Sequence, residues 1–173
     1  MGLSFRLGRA SLAQRRRPGM TITPPDIAPV AWRRADGYLL TTDRASVDVD
    51  LVGRFLAEEA YWSDGLPRDR LERALAGSLP MAVIAPDGAM AGFARLVTDY
   101  TVFAYLRDVF VLPAHRGRGL AVWLARVIRT HPELADIPTW MLATRDAHAV
   151  YEKAGFRPVP HPEFYMSVPK PGS

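Results

Sequence analysis

The 173-residue chain contains no cysteine and no asparagine, and it has two lysines against twenty arginines. The absence of cysteine excludes disulfides, zinc-thiolate sites and a cysteinyl acyl-enzyme. No apolar run approaches the roughly 18 residues of a membrane span, so we expect a soluble, cytoplasmic protein without a membrane partner. The preference for arginine over lysine is typical of a GC-rich bacterial genome.

The net charge of +4 is unevenly distributed along the chain. Residues 1–34 carry seven arginines and one aspartate, whereas residues 35–173 carry fifteen lysines and arginines against seventeen acidic residues. The basic stretch 5–19 lacks the apolar centre of a secretory signal. We predict a disordered, proline-rich extension over residues 1–30, with a reading frame that starts at Met20 as the alternative. A nucleic-acid partner is disfavoured because no aromatic residue interleaves with the arginines.

Residues 31–170 predict a single α/β domain that begins with one strand and two helices. The strand is expected over residues 37–43, from its β-branched and aromatic content. Ser46 or Asp48 can cap the first helix, and Pro67 and Gly77 mark the start and end of the second.

The second half of the chain predicts a strand-rich pattern. Asp87-Gly88 is typical of a tight hairpin turn, so three successive strands should form an antiparallel meander. A helix, a short strand over residues 139–144 and a helix capped by Asp146 follow. Two last strands are expected over 156–159 and 163–168, which gives the order βααβββαβαββ.

The segment PAHRGRGLAVWLARVI, residues 113–128, joins the third strand of the meander to a helix. It lacks the GxxxxGK and following hydroxyl of a P-loop, and Val122 stands where a dinucleotide fingerprint needs glycine or alanine. Glycines at 117 and 119 let a ligand approach the backbone N–H groups at the helix N-terminus. With arginines at 116 and 118, the loop is suited to bind a pyrophosphate. Glycine turns with a nearby arginine are common and are usually structural, so the loop alone leaves both interpretations open.

Arg116-x-x-Gly119-x-Ala121 resembles the acetyl-CoA signature of the GNAT family of N-acetyltransferases, which is (Gln or Arg)-x-x-Gly-x-(Gly or Ala). The element order over residues 33–168 is similar to that of the GNAT fold, and AHAVYEKAGF resembles a later motif of the family. The resemblance implies a mixed, mostly antiparallel sheet flanked by helices. It also implies direct transfer of an acetyl group from acetyl-CoA to an amine within a ternary complex.

The resemblance further implies which residues hold acetyl-CoA. The strand that ends in VFVLP would hold the pantetheine arm and the oxyanion through the backbone of Val109, Phe110 and Val111. The loop would hold the pyrophosphate through Arg116, Gly117, Arg118, Gly119, Leu120 and Ala121. The family often places an asparagine after its fifth strand, but TRDA stands there in this chain, so contacts at Thr144 or Asp146 are not carried over.

Tyr151 and Asp108 are the candidate catalytic residues. An aromatic residue on the inner face of an amphipathic helix is ordinarily part of the core, but the place of Tyr151 in the motif implies that it protonates the departing thiolate. Asp108 lies in the strand beside the thioester site and could relay a proton through water. A paired structural carboxylate is an equally good account of Asp108.

The acceptor is expected to be a small-molecule or peptide amine. Carboxylates with aromatic rings would suit a cationic amine, although a solvated helix end accounts equally well for the acidic residues there. The candidate acceptor-site residues are Glu59, Tyr61, Trp62, Asp99 and Tyr105. No metal-ligand spacing appears, so no metal is expected. A non-catalytic acyl-CoA-binding domain and a homodimer are both open alternatives.

Overall fold

The computed structural model describes residues 26–168, so most of the predicted N-terminal extension lies outside the described residues. The elements follow the order β1 (Ala31–Arg33), β2 (Leu39–Thr41), α1 (Val49–Glu58), α2 (Arg68–Ala76), β3 (Leu79–Ile84), β4 (Met90–Thr98), β5 (Phe103–Val111), α3 (Leu120–Val127), β6 (Thr139–Met141) and α4 (His148–Lys153). Within this range, no helix has both the length and the apolar character needed to cross a membrane.

The strands form one sheet in the order β1-β2-β3-β4-β5-β6. Neighbours from β1 to β5 are antiparallel, and β6 joins β5 in parallel. The predicted meander is therefore confirmed. Gly88 has φ +90° in the β3–β4 turn, where the Ala85 N–H donates to the Ala89 carbonyl at 2.8 Å.

Helices cover both faces of the sheet. On one face, Val52, Phe55 and Leu56 of α1 pack with α2 against the sheet residues Phe93 and Phe110. On the other face, α3 and the chain that follows it bury a second apolar cluster. Burial of both faces accounts for the nearly continuous apolar sequence of β3 and β4. The predicted α/β class, with a mixed and mostly antiparallel sheet between helices, is confirmed.

The helix starts agree with the sequence in part. The Asp48 carboxylate accepts the Leu51 N–H at 2.9 Å and caps α1, as predicted. The prediction that Asp146 caps α4 is wrong. The N-cap is Ala147, whose N–H donates to Thr144 Oγ1 at 3.0 Å, while the Asp146 carboxylate turns toward the α1–α2 loop.

The element order differs from the prediction at both ends. β1 was not predicted, because three residues are too short for a periodic pattern. The strands predicted over 156–159 and 163–168 do not form. Residues 158, 160 and 162 are all proline, which has no N–H to donate to a ladder, and the segment contains only a 3₁₀ turn, Pro162–Phe164.

Candidate active site

The end of β5 nearer the loop is an open strand edge. β5 pairs with β6 over Phe103, Ala104 and Tyr105 only. Beyond Tyr105, no strand of the described chain pairs with β5 on that side, although β5 continues to Val111. β6 ends at Met141, so the edge of β5 beyond Tyr105 is open to a ligand that can pair with it.

A bulge distorts β5 within this open stretch. Phe93 pairs with Phe110, but the next pair is Arg95 with Arg107, so β5 has one more residue than β4 between the two pairs. Asp108 takes up the extra length with φ +52°, in the left-handed region that aspartate tolerates better than most residues. The bulge places residues 108 and 109 at the centre of the open edge.

Asp108 forms an ion pair with Arg95 on the neighbouring strand. Both side chains are largely buried, with 8% of Asp108 and 13% of Arg95 exposed. Arg107 Nε lies 4.0 Å from the second carboxylate oxygen. The carboxylate is thus compensated within the sheet, which favours the structural interpretation of Asp108 over the role of a general base.

The predicted pyrophosphate loop connects β5 to α3 with its glycines in the left-handed region. Gly117 has φ +75° and Gly119, the N-cap of α3, has φ +71°. Within residues 26–168, the backbone N–H groups from Gly117 to Val122 have no hydrogen-bond acceptor. A Cβ placed on either glycine would have no atom within 4 Å. The loop therefore offers free donors to an anion at the helix N-terminus.

Two side chains at the start of the loop anchor it to the rest of the fold, whereas a third is exposed. Arg116 Nε donates to the Val111 carbonyl at 2.9 Å, and its Nη2 lies 3.8 Å from Glu59 Oε2. Arg116 therefore ties the loop to the strand end and to α1, while Arg118 is exposed. His115, whose Nδ1 lies 2.8 Å from the Tyr38 hydroxyl, anchors the start of the loop.

A cleft of about 180 Å³ lies beside the bulge and reaches the start of α4. It brings together five of the predicted site residues from three separate parts of the chain, Tyr61, Trp62, Tyr105, Asp108 and Tyr151, together with Val109 of the predicted cofactor strand. A larger cavity of about 400 Å³ lies between β6, α4 and residues 156–162 and also borders Tyr151. Of these two cavities, only the smaller cleft is also lined by β5.

Tyr151 combines a core position with access to the cleft. Its ring packs edge-on against Phe156 at 6.1 Å between centroids. Burial, together with Tyr61 and the negative charge of Asp146, raises the pKa of the Tyr151 hydroxyl to about 12. Tyr151 is therefore protonated at neutral pH and available as a proton donor.

Two predicted acceptor-site residues do not line this cleft. Glu59 lies beside Arg116 at the loop. Asp99 is in the β4–β5 turn, where its carboxylate accepts the N–H groups of residues 101, 102 and 103 at 2.9–3.0 Å. These hydrogen bonds lower the pKa of Asp99 and give the residue a local structural role.

Asp146 lines the cleft but was absent from the predicted site. The Tyr61 hydroxyl donates to Asp146 Oδ1 at 2.8 Å, and the Arg145 guanidinium lies over the Tyr61 ring, 3.8 Å from its centroid. The position of Asp146 in the TRDA segment before Tyr151 was the one available signal in the sequence. Its partner is 85 positions away, and no local pattern indicates such a contact.

Comparisons with known proteins agree with this geometry. Residues 49–156 match the family model described as the acetyltransferase (GNAT) family. The chain belongs to the GNAT acetyltransferase family. A GNAT-family crystal structure from Xanthomonas campestris pv. campestris, provisionally named an acetyltransferase, has 38% sequence identity and a TM-score of 0.73, covering 78% of this chain and 94% of that one.

Two other proteins named as acetyltransferases are also similar to this chain. A Gibberella zeae protein, provisionally named an acetyltransferase, is 30% identical over 118 residues, which are 58% of this chain and 66% of that protein. The match thus spans just under two thirds of the fungal protein. A Clostridium acetobutylicum structure described as a predicted acetyltransferase with acetyl-CoA has a TM-score of 0.56 and 14% identity, covering 76% of this chain and 94% of that one. At that identity the likeness concerns the fold alone.

Proposed function

We propose that this GNAT protein transfers an acetyl group from acetyl-CoA to an amine acceptor, directly and within a ternary complex. The observation that carries the proposal is that one strand, β5, connects the two parts of the site. Its open edge borders the cleft that contains Tyr151, and its end leads into the loop with free N–H groups. A fold relative described with acetyl-CoA supports the choice of donor.

The described residues fit two adjacent parts of an acetyl-CoA molecule, the pyrophosphate and the pantetheine arm. The N–H groups from Gly117 to Val122 can bind the pyrophosphate oxygens, and the empty space at Gly117 and Gly119 lets the anion approach. The open edge from Leu106 to Val111 can hydrogen-bond the amide groups of the pantetheine arm. The thioester would then lie near the bulge, at the entrance of the cleft.

In the proposed reaction, the lone pair of a neutral amine attacks the thioester carbonyl. The C–N bond forms, and backbone N–H groups near Val109 and Phe110 stabilise the tetrahedral oxyanion. When the C–S bond breaks, Tyr151 gives its proton to the leaving sulfur. The amine nitrogen loses one proton to water, and Tyr151 regains one from water, so the net products are the N-acetylated amine and CoA thiol.

In this proposal Asp108 has a structural role and is not the general base. Its carboxylate is paired with Arg95, and a general base would have to leave that ion pair to accept a proton. We propose that Asp108 maintains the bulge that shapes the β5 edge. The acceptor then enters the cleft in its neutral form, without a protein carboxylate as its base.

Release of CoA thiol from acetyl-CoA in the presence of a panel of primary amines tests the proposal. We expect release by the wild type, and we expect acetyl-CoA to raise its melting temperature. Gly119→Glu should abolish that rise because its carboxylate repels the pyrophosphate. Gly119→Ala, which strains the same backbone without adding charge, should retain part of it. Acetyl-CoA binding without thiol release would instead indicate a non-catalytic acyl-CoA-binding domain.

A further inference from the structure

Asp146 is held at the mouth of the cleft by a contact between distant parts of the chain. The Tyr61 hydroxyl, on the α1–α2 loop, donates to Asp146 Oδ1 at 2.8 Å. The Arg145 N–H donates to the Tyr61 oxygen at 3.4 Å. These bonds fix the carboxylate beside the cleft that also contains Tyr151.

The negative charge of Asp146 has no counterion among the side chains of residues 26–168. Among residues 26–168, no arginine, lysine or histidine nitrogen lies within 4.0 Å of its carboxylate, and its Oδ2 accepts no hydrogen bond. The neighbouring Arg145 guanidinium is stacked on the Tyr61 ring instead. Asp108, the other carboxylate of the cleft, is paired with Arg95. Asp146 is therefore the carboxylate that can attract a cationic ligand.

The other walls of the cleft also suit a cation. The rings of Trp62 and Tyr105 line it, and aromatic faces attract ammonium groups, whereas one face of Tyr61 is covered by Arg145. Arg107 lines it as well, but the guanidinium lies 5.8 Å from the Tyr105 ring centroid and close to Asp108. A volume of about 180 Å³ admits a small acceptor or the end of a longer one.

The reaction restricts which cation Asp146 can hold. The nitrogen that attacks the thioester must be neutral, because a protonated amine has no lone pair to donate. An ion pair with Asp146 would keep that nitrogen protonated. The carboxylate is therefore suited to a second positive charge, on a part of the acceptor that does not react.

We propose that Asp146 binds an ammonium group that the acceptor carries in addition to the amine under attack, and that Tyr61 is a positioning residue for this carboxylate. The inference rests on the proposed acetyl transfer and specifies its substrate class as diamines or similar dications. Asp146 makes a charge-assisted contact that a monoamine with the same carbon chain lacks.

Three acceptors with the same four-carbon chain test the inference: 1,4-diaminobutane, butylamine and 4-aminobutyrate. We expect the wild type to favour 1,4-diaminobutane over butylamine by about tenfold in kcat/KM, with 4-aminobutyrate the poorest. Asp146→Asn keeps an oxygen that accepts from Tyr61 but removes the charge. It should raise KM for the diamine by about tenfold, and this loss should be much larger than any change in KM for butylamine.

Two further variants separate positioning from general structural damage. Tyr61→Phe should raise KM for the diamine less than Asp146→Asn, and the double variant should be no worse than Asp146→Asn alone, because Tyr61 acts through Asp146. Asp136→Asn, an exposed aspartate outside the cleft, is the matched control and should not change any parameter. If the KM increases caused by Tyr61→Phe and Asp146→Asn add up in the double variant, Tyr61 does not act through Asp146, which would contradict its positioning role.

Calorimetric titration of 1,4-diaminobutane into the CoA-bound protein provides a readout that does not depend on turnover. We expect binding by the wild type, weakened in Asp146→Asn and weakened by added salt. Turnover of amines with an unchanged diamine preference in Asp146→Asn would overturn the inference and leave the proposed function standing. Absence of turnover with all three amines would count against the proposed function. Even without turnover, the inference is overturned if the calorimetric titration shows diamine binding that Asp146→Asn does not weaken.

Discussion

Asp108 and Arg95 face each other across the bulge between β5 and β4, and their ion pair is almost completely shielded from water. The pair compensates two charges at the place where the β5 ladder is interrupted. Asp108 also has a left-handed backbone, so the same residue provides both the geometry of the bulge and the charge that holds it in place.

Arg95→Met should strongly destabilise the fold. Removing Arg95 leaves the Asp108 carboxylate with only the more distant Arg107, and breaking a buried ion pair costs up to about 3–5 kcal/mol. Urea denaturation measures the loss. Arg95→Met combined with Asp108→Asn should recover part of it, because the neutral amide can adopt the same left-handed backbone without carrying a buried charge. If the double variant is as unstable as the sum of the two single variants, the two side chains do not stabilise each other.

Gly92→Ala should also destabilise the protein. A Cβ at Gly92 would lie 2.7 Å from the Phe110 carbonyl oxygen, which is backbone and cannot rotate away. Overpacking of this kind costs about 1–3 kcal/mol. Gly53→Ala is the control, since its Cβ would meet only the Leu71 side chain at 3.4 Å in the interior of α1. Because alanine favours a helix, the control should be neutral or slightly stabilising in the same denaturation measurement.

Local signals in the sequence predicted the parts of the fold that local chemistry determines. The Asp48 cap, the Asp87-Gly88 hairpin and the glycine loop before α3 each depend on a few adjacent residues, and all three are present. The prolines at 158, 160 and 162 were equally visible. These prolines lack the N–H donors of a ladder, so they argue against the two C-terminal strands, which the structure does not contain.

The site depends on contacts that no local pattern contains. The loop residues and Tyr151 follow from the family motifs, but the pairing of Asp108 with Arg95 depends on the register of two strands. The contact between Tyr61 and Asp146 depends on how the α1–α2 loop lies over the β6–α4 connection. These two contacts decide whether the carboxylate of Asp108 or that of Asp146 can bind a ligand. Neither contact can be predicted from the local sequence.

His131 should make the folded state less stable in mildly acidic solution. Its ring is almost fully buried, and desolvation lowers its pKa below the usual value of about 6.5. The unfolded chain therefore binds a proton near pH 6.5 that the folded chain does not bind. The free energy of unfolding should be unaffected by His131 above that pH and should fall as the pH decreases from about 6.5 toward 5.

Urea denaturation of the wild type and of His131→Asn between pH 5 and pH 8 measures this effect. The asparagine removes the titrating ring and retains an acceptor for the Glu133 N–H, which His131 Nδ1 accepts at 3.1 Å. The variant should be less stable overall but should depend less on pH in the acidic range. If both proteins lose stability equally below pH 6.5, other groups cause the dependence.

The Tyr151 hydroxyl should keep its proton in mildly alkaline solution. Because its pKa is raised to about 12, the hydroxyl does not ionise below about pH 10. The amine acceptor, by contrast, gains its neutral form as the pH approaches its own pKa of about 10. We therefore expect kcat/KM to rise with pH up to that value and to show no decline caused by Tyr151.

Tyr151→Phe isolates this contribution. The variant keeps the ring that packs on Phe156 but cannot protonate the leaving thiolate, so kcat should fall by about 100-fold or more while acetyl-CoA still raises the melting temperature. An acceptor of lower pKa should move the rising limb of the wild-type profile to lower pH. A decline of wild-type activity near pH 8 to 9 that disappears in Tyr151→Phe would show that the hydroxyl ionises there, and full activity of the variant would remove Tyr151 as the acid.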